Sequence, residues 1–269
     1  MSFEVHAALT TPFGDDGSID ADALRAHVRL LREDGIDGVV TTGTTGEGPL
    51  LEESEVIAAV AAATEAAGGD LEVIAHVGRA STVATVRLTR AAVAEGADAL
   101  IAITPYYYAH EPDVLLGHYR ALLEAADGTP VLAYAFPARS GNELPAELVD
   151  TLAAEGLAGL KDSTGSPERH ADYLEVARRH DRFRLFVGSE ALALRSLRGG
   201  GSGSISALAN ARADVLLGVR AERSEEAQRA VDEARAQLAG IPDIKRAVQA
   251  RLAERGVRYP DASRVPLAA

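Results

Sequence analysis

VHAALTTPFGDDGSID, from Val5 to Asp20, decides between two ways of building a parallel α/β protein. It opens with a short apolar run, VHAALT (5–10), of the kind that forms a strand. A turn-rich segment follows, with Pro12, Gly14 and Gly17. A doubly wound open sheet that binds a dinucleotide carries a G-x-G-x-x-G loop after its first strand. TPFGDDGSID (11–20) is not that loop, so the alternative, a closed barrel, is the expectation.

Seven further strand candidates follow: GVVTTG (38–43), EVIAHVG (72–78), ALIAIT (99–104), PVLAYAF (130–136), LAGLK (157–161), RLFVG (184–188) and GSISAL (203–208). They are mostly continuous apolar runs, as expected of parallel strands covered on both faces. Between them lie stretches such as DADALRAHVRLLREDG, TVATVRLTRAAVAEG and PERHADYLEVARRH, with apolar residues three and four apart. Eight such units in 269 residues predict an α/β (β/α)8 TIM barrel. RGGGSGS (198–204) reads as a tight helix-to-strand loop rather than a linker. The expected division is a barrel over 1–222 and a small helical C-terminal extension over 223–269, built from EEAQRAVDEARAQLAG and DIKRAVQARLAERG.

Apolar residues make up 47% of the chain and charged residues 25%, which fits a folded globular protein. The net charge of −13 argues against nucleic acid and anionic lipid partners. There is no cysteine, which removes disulfides, thiolate chemistry and Cys-zinc sites. The seven histidines show no H-x-H or H-E-x-x-H spacing, so no metal site and no cofactor are expected. MSFEVHAALT lacks the pattern of a signal peptide, and the Ala-rich stretch 56–69 is interrupted by Glu65 and too short to span a bilayer, so a cytoplasmic protein is the expectation.

Of 27 basic residues only Lys161 and Lys245 are lysines. Lys161 follows the apolar run EGLAGL at the end of strand six, and chemistry in a barrel sits at strand C-termini. Two readings stand: a surface lysine opening a loop, or an amine whose burial favours the neutral, nucleophilic form that makes an imine with a ketone. Each other unusual residue at that end also has two readings. GTTGEG (43–48) is a Gly-rich turn, or a loop whose amides and the Thr44 and Thr45 hydroxyls hold a carboxylate. Tyr106, Tyr107, Tyr108 and Tyr134 are four of the seven tyrosines, and are packing residues or proton relays. Arg139 in PARSG is a solvated loop cation or an anion ligand. Glu190 is a helix cap or an acceptor for substrate hydroxyls, and Ser206 sits on strand eight.

Taken in order, LTTPF (9–13), GTTGEG, TPYYY (104–108), YAFPARSG (134–141), GLKDS (159–163), GSE (188–190), ISALAN (205–210) and IPDIK (241–245) resemble the dihydrodipicolinate synthase / N-acetylneuraminate lyase family of class I pyruvate-dependent aldolases nearly end to end. The resemblance implies the same barrel and a metal-independent carbon–carbon lyase whose partners are pyruvate and an aldehyde. It implies that Lys161 forms a Schiff base with pyruvate. Thr44 and Thr45, with Gly46 in the same loop, bind the pyruvate carboxylate. Tyr134 relays protons, and Tyr107 crosses a subunit interface in a homo-oligomer, a dimer or tetramer. Ile205 and Ser206 of ISALAN join Arg139 and Glu190 as implied substrate-binding residues. Two features depart from the family: Ala135 stands where Asn is usual, and the tail is short between Leu238 and Ile241. Arg139 and ISALAN resemble dihydrodipicolinate synthase, whereas YYY, GEGP and GSE resemble the 2-keto-3-deoxygluconate aldolases. The expectation leans to a sugar-acid aldolase, cleaving 2-keto-3-deoxygluconate or its 6-phosphate to pyruvate and glyceraldehyde or its 3-phosphate. Arg139 and Glu190 would then face each other across the second-substrate pocket. The alternatives are 4-hydroxy-tetrahydrodipicolinate synthase and a silent keto-acid-binding paralogue.

Overall fold

The computed structural model describes residues 3–238 and 240–267. Its strands are β1 (Glu4–Ala8), β2 (Gly38–Thr41), β3 (Glu72–His76), β4 (Ala99–Ile103), β5 (Val131–Ala135), β6 (Gly159–Asp162), β7 (Arg184–Val187) and β8 (Gly203–Ser206). All pair in parallel with their sequence neighbours, and β8 closes on β1, so the sheet is a barrel of eight strands. Helices α1 (Ala21–Glu33), α2 (Glu53–Ala67), α3 (Thr82–Ala94), α4 (Pro112–Ala125), α5 (Pro137–Ser140), α6 (Ala146–Ala154), α7 (Pro167–Arg179), α8 (Ala193–Gly199) and α9 (Ala209–Glu222) lie along the chain from β1 to just past β8. Asp20 caps α1, accepting from the Ala23 N–H.

Alternate strand residues face the barrel interior. Ala8, Val40, Ile74, Ile101, Leu132, Phe186 and Ile205 fill it. The lower end is closed by charge: Arg184 bonds Glu4 and Glu72 at 2.6 Å, and His6 bonds Glu72 at 2.7 Å. Burial pushes the Glu72 carboxyl up, but the hydrogen bonds from Arg184 and His6 outweigh it and leave the group at about 2.

Beyond the barrel, α10 (Glu225–Gln237) and α11 (Ile241–Ala253) form the expected C-terminal helices. Ile244, Val248 and Leu252 of α11 join Ala23 and Leu30 of α1 in a satellite core with Tyr259. The helical extension expected over 223–269 stops earlier among the described residues: α11 ends at Ala253, Gly256 takes a φ of 72°, and residues 257–264 form an irregular strap held by Lys245 and Glu47, while residues 268–269 lie outside the described residues. Pro260 and Pro266, which cannot donate a helical hydrogen bond, keep a helix from resuming after Gly256. No helix among the described residues is long and apolar enough to cross a membrane.

Three buried histidines make the fold acid-sensitive. Burial holds His27 and His76 neutral, with pKa values of about 3, and His118 with one of about 4. In the unfolded chain each titrates near its ordinary value, so between these limits the unfolded state binds more protons. The stability these groups contribute is complete above about pH 6.5 and is lost as pH falls. Together they should remove on the order of 3–4 kcal/mol between pH 7.5 and 5.5. Urea unfolding at the two pH values checks this; equal midpoints would contradict it.

Candidate active site

The upper end of the barrel gathers most of the unusual residues. In register, Tyr134 of β5 pairs with Lys161 of β6, and Lys161 with Phe186 of β7. Tyr134 and Phe186 belong to the interior core, so Lys161 points inward with them. It is 8% exposed, and its Nζ lies 4.4 Å from the centre of the Tyr134 ring. Space for the lysine stem comes from Gly188, at the end of β7: a Cβ there would lie 3.0 Å from Lys161 Cε and 2.1 Å from Ser163 Oγ. The Tyr134 hydroxyl lies 3.5 Å from Thr44 Oγ1. Lys161, Tyr134 and Thr44 therefore form one contiguous row.

Thr44 belongs to a tightly folded loop. Thr42 and Glu47 both have positive φ, 52° and 59°, a conformation unusual for any side chain and most so for a β-branched one. Gly48 is required, because a Cβ there would lie 1.8 Å from the Thr42 carbonyl oxygen. Its N–H donates to the Gly43 carbonyl, and Thr11 Oγ1 donates to the Gly46 carbonyl at 2.6 Å. The N–H groups of Thr44, Thr45 and Gly46 donate to nothing among the described residues. Three consecutive free amides at a tight turn suit a carboxylate. Backbone strain at a site of this kind persists where surrounding contacts over-determine it.

Those contacts come from a pair that the sequence reading left out. Glu47 and Lys245, the second lysine, form an ion pair with both side chains fully buried. Burial lowers the Lys245 pKa while the Glu47 carboxylate opposes that shift. Glu47 also accepts the Arg264 N–H at 2.8 Å, and Lys245 donates to the Ala262 carbonyl at 2.6 Å. The loop carrying Thr44 and Thr45 is thereby fastened to both α11 and the strap.

At the Thr44 end of the row opens a cavity of about 280 Å³, lined by Thr44, His76, Ile103, Tyr106, Arg139 and Leu267 among others. His76 is the second omission. It stands edge-on to Tyr134 at 6.1 Å, and its Nε2 accepts the Ile103 N–H. Burial first, then the Arg79 and Lys161 charges, keep it a neutral imidazole. Nothing marked it in advance, since EVIAHVG reads as an ordinary strand. Asn142 is the third: its side-chain amide bonds the carbonyls of Pro105 and Tyr108 and its oxygen accepts the His110 N–H, which shapes the tyrosine loop. In that loop Tyr107 has a φ of 83° and is 84% exposed, packed on Tyr108 rather than in its own barrel.

Two expected residues lie elsewhere. Ile205 faces the interior, so its neighbour Ser206 faces outward, where Ser206 Oγ donates to Glu190 at 2.6 Å. The other Glu190 oxygen accepts from Arg235 Nε of α10 at 3.1 Å. Glu190 lines a separate cavity between the barrel and the C-terminal helices, with Asp232 and Arg235. The expectation that Glu190 and Arg139 face each other across one pocket is therefore corrected. The alternation of β8 and the pull of Arg235 turn the carboxylate away from the Arg139 cavity.

The model of the Dihydrodipicolinate synthetase family matches residues 1–268. The chain is 41% identical over 204 residues to the 4-hydroxy-tetrahydrodipicolinate synthase of Thiobacillus denitrificans, covering 76% of this chain and 68% of that protein. It is 35% identical over 242 residues to an uncharacterised DapA-like lyase of Halobacterium salinarum, covering 90% and 77%. The crystal structure of dihydrodipicolinate synthase from Aquifex aeolicus superposes with a TM-score of 0.88 at 26% identity, over 99% of this chain and 92% of that one. The chain belongs to the dihydrodipicolinate synthetase family and is a pyruvate-dependent carbon–carbon lyase of the class I aldolase type.

Proposed function

We propose that the chain is a 4-hydroxy-tetrahydrodipicolinate synthase, condensing pyruvate with aspartate semialdehyde. The observation that carries this reading is the placement of Arg139 in the Thr44 cavity, while both Glu190 oxygens are bonded elsewhere. A sugar-acid substrate needs acceptors for its hydroxyls, and the expected one is engaged. A semialdehyde needs a cation for its carboxylate, and Arg139 offers one. The naming of relatives such as the Thiobacillus protein supports the same choice over the sugar-acid preference drawn from GSE.

In this reading the pyruvate carboxylate rests on the Thr44, Thr45 and Gly46 amides and the threonine hydroxyls. The Lys161 nitrogen, its lone pair freed by loss of a proton, adds to the ketone carbon, and loss of water gives the imine. Removal of a methyl proton gives the enamine. Its carbon attacks the aldehyde, and Tyr134 delivers a proton to the resulting alkoxide. The substrate amine then attacks the imine carbon, which closes the ring and releases Lys161.

A turnover panel tests it: pyruvate with aspartate semialdehyde, with glyceraldehyde and with glyceraldehyde 3-phosphate. Aspartate semialdehyde should be far the best, and Arg139→Ala should lower its kcat/KM by roughly ten- to a hundredfold, as expected for one charge-assisted hydrogen bond. Glu190→Ala should spare most of that activity. Preference for a glyceraldehyde, with Glu190→Ala damaging and Arg139→Ala harmless, would return the assignment to a sugar-acid aldolase.

The same reading makes the enzyme a homo-oligomer, at least a dimer. Tyr107, strained and projecting into solvent in the single chain, is suited to complete a neighbour's proton relay. Mixing inactive Lys161→Ala with inactive Tyr107→Phe subunits should then restore part of the activity, up to about a quarter for a randomly mixed dimer with one fully intact site in each heterodimer. No recovery between subunits shown to exchange would mean that each site is self-contained.

A further inference from the structure

The strap does more than cover the barrel. Arg264 pins it at the mouth: the backbone N–H bonds Glu47, and the guanidinium bonds Glu55, the Leu50 carbonyl and the Gly17 carbonyl. Three residues on, Leu267 enters the wall of the cavity that holds Thr44 and Arg139, with Pro266 beside it. Leu267 is 46% exposed, so core packing alone does not account for its position. An isobutyl group offers no hydrogen bond to a substrate. At that position it acts by excluding volume, in a cavity of about 280 Å³, near the lower end of the usual range for small-molecule sites.

We propose that Leu267, held by the Arg264 clamp, sets the upper length of the aldehyde that reaches the pyruvate-derived enamine. The proposal rests on the reading above that the cavity between Thr44 and Arg139 receives the aldehyde. With the distal group of the acceptor held at one end and its aldehyde at the enamine, an added methylene must displace the strap. Apolar pockets discriminate a single methylene by roughly ten- to two-hundredfold.

The test compares the shortest acceptor that the wild type turns over with its one-carbon homologue: 4-oxobutanoate and 5-oxopentanoate if it uses semialdehydes, glyceraldehyde and erythrose if it uses aldoses. Leu267→Ala should raise the long-to-short ratio of kcat/KM about tenfold or more. The KM for pyruvate and trapping by borohydride should not change. Arg264→Ala, which removes the guanidinium clamp on the strap but leaves Leu267 in place, should move the ratio in the same direction. A ratio within about twofold of wild type in Leu267→Ala, in protein with an unchanged Tm, overturns the proposal whatever Arg264→Ala does. Which acceptor series the wild type uses is read separately, so failure of the synthase assignment and failure of the length limit are distinct results.

Discussion

Replacing Lys161 by arginine is expected to abolish turnover while leaving the fold intact. The positive charge and most of the stem survive, and the Tyr134 ring face that Lys161 now occupies accepts a guanidinium as well. What is lost is the amine. A guanidinium stays protonated and cannot add to the pyruvate ketone, so the imine never forms. The loss should be on the order of 10³-fold or more in kcat, the scale seen when a covalent nucleophile is removed. Steady-state assay beside thermal unfolding measures both halves of the claim. Retention of more than a few per cent of wild-type kcat would mean that Lys161 is an electrostatic residue, not the nucleophile.

Lys245→Ala should produce the largest loss of stability. Both partners of the Glu47–Lys245 pair are fully buried, and removing one leaves a carboxylate without its cation in the interior. Breaking a buried pair in this way typically costs about 3–5 kcal/mol. For a chain of this size that corresponds to a fall in Tm of about 10 °C. The Ala262 carbonyl also loses its donor, so the strap should loosen. Because Glu47 follows Gly46 directly, the amide cradle should distort and the KM for pyruvate rise. Combining Lys245→Met with Glu47→Gln, which removes both charges, should recover a substantial part of the lost stability. A single mutant melting within about 2 °C of wild type would show that the pair contributes little.

The barrel was legible because its strands are continuous apolar runs that end abruptly at polar or glycine residues, and because the segment after Ala8 is not a dinucleotide loop. Lys161 stood out by scarcity. Its inward direction, however, depends on strand register with Tyr134 and Phe186. The Glu47–Lys245 pair joins residues 198 positions apart, and no local pattern announces such a contact. His76 was hidden for another reason: a strand histidine reads alike whether it plugs a core or faces a cavity. Ser206 was open to a correct reading, since alternation with the interior Ile205 already turns it outward. Glu190 was not, because its direction depends on Arg235, supplied by a helix outside the barrel. The strap was read as part of the helical extension although Gly256, at the end of LAERG, already marks the stop of α11, and Pro260 keeps a helix from resuming.

The central claim is that Lys161 is the Schiff-base lysine, and trapping tests it most directly. Incubation with pyruvate and borohydride, followed by peptide mass mapping, should place a single pyruvate-derived adduct on Lys161, the inward-facing lysine at the end of β6. Lys245, enclosed with Glu47, should remain unmodified. An adduct on Lys245, or no adduct in protein that turns over pyruvate, would contradict the account.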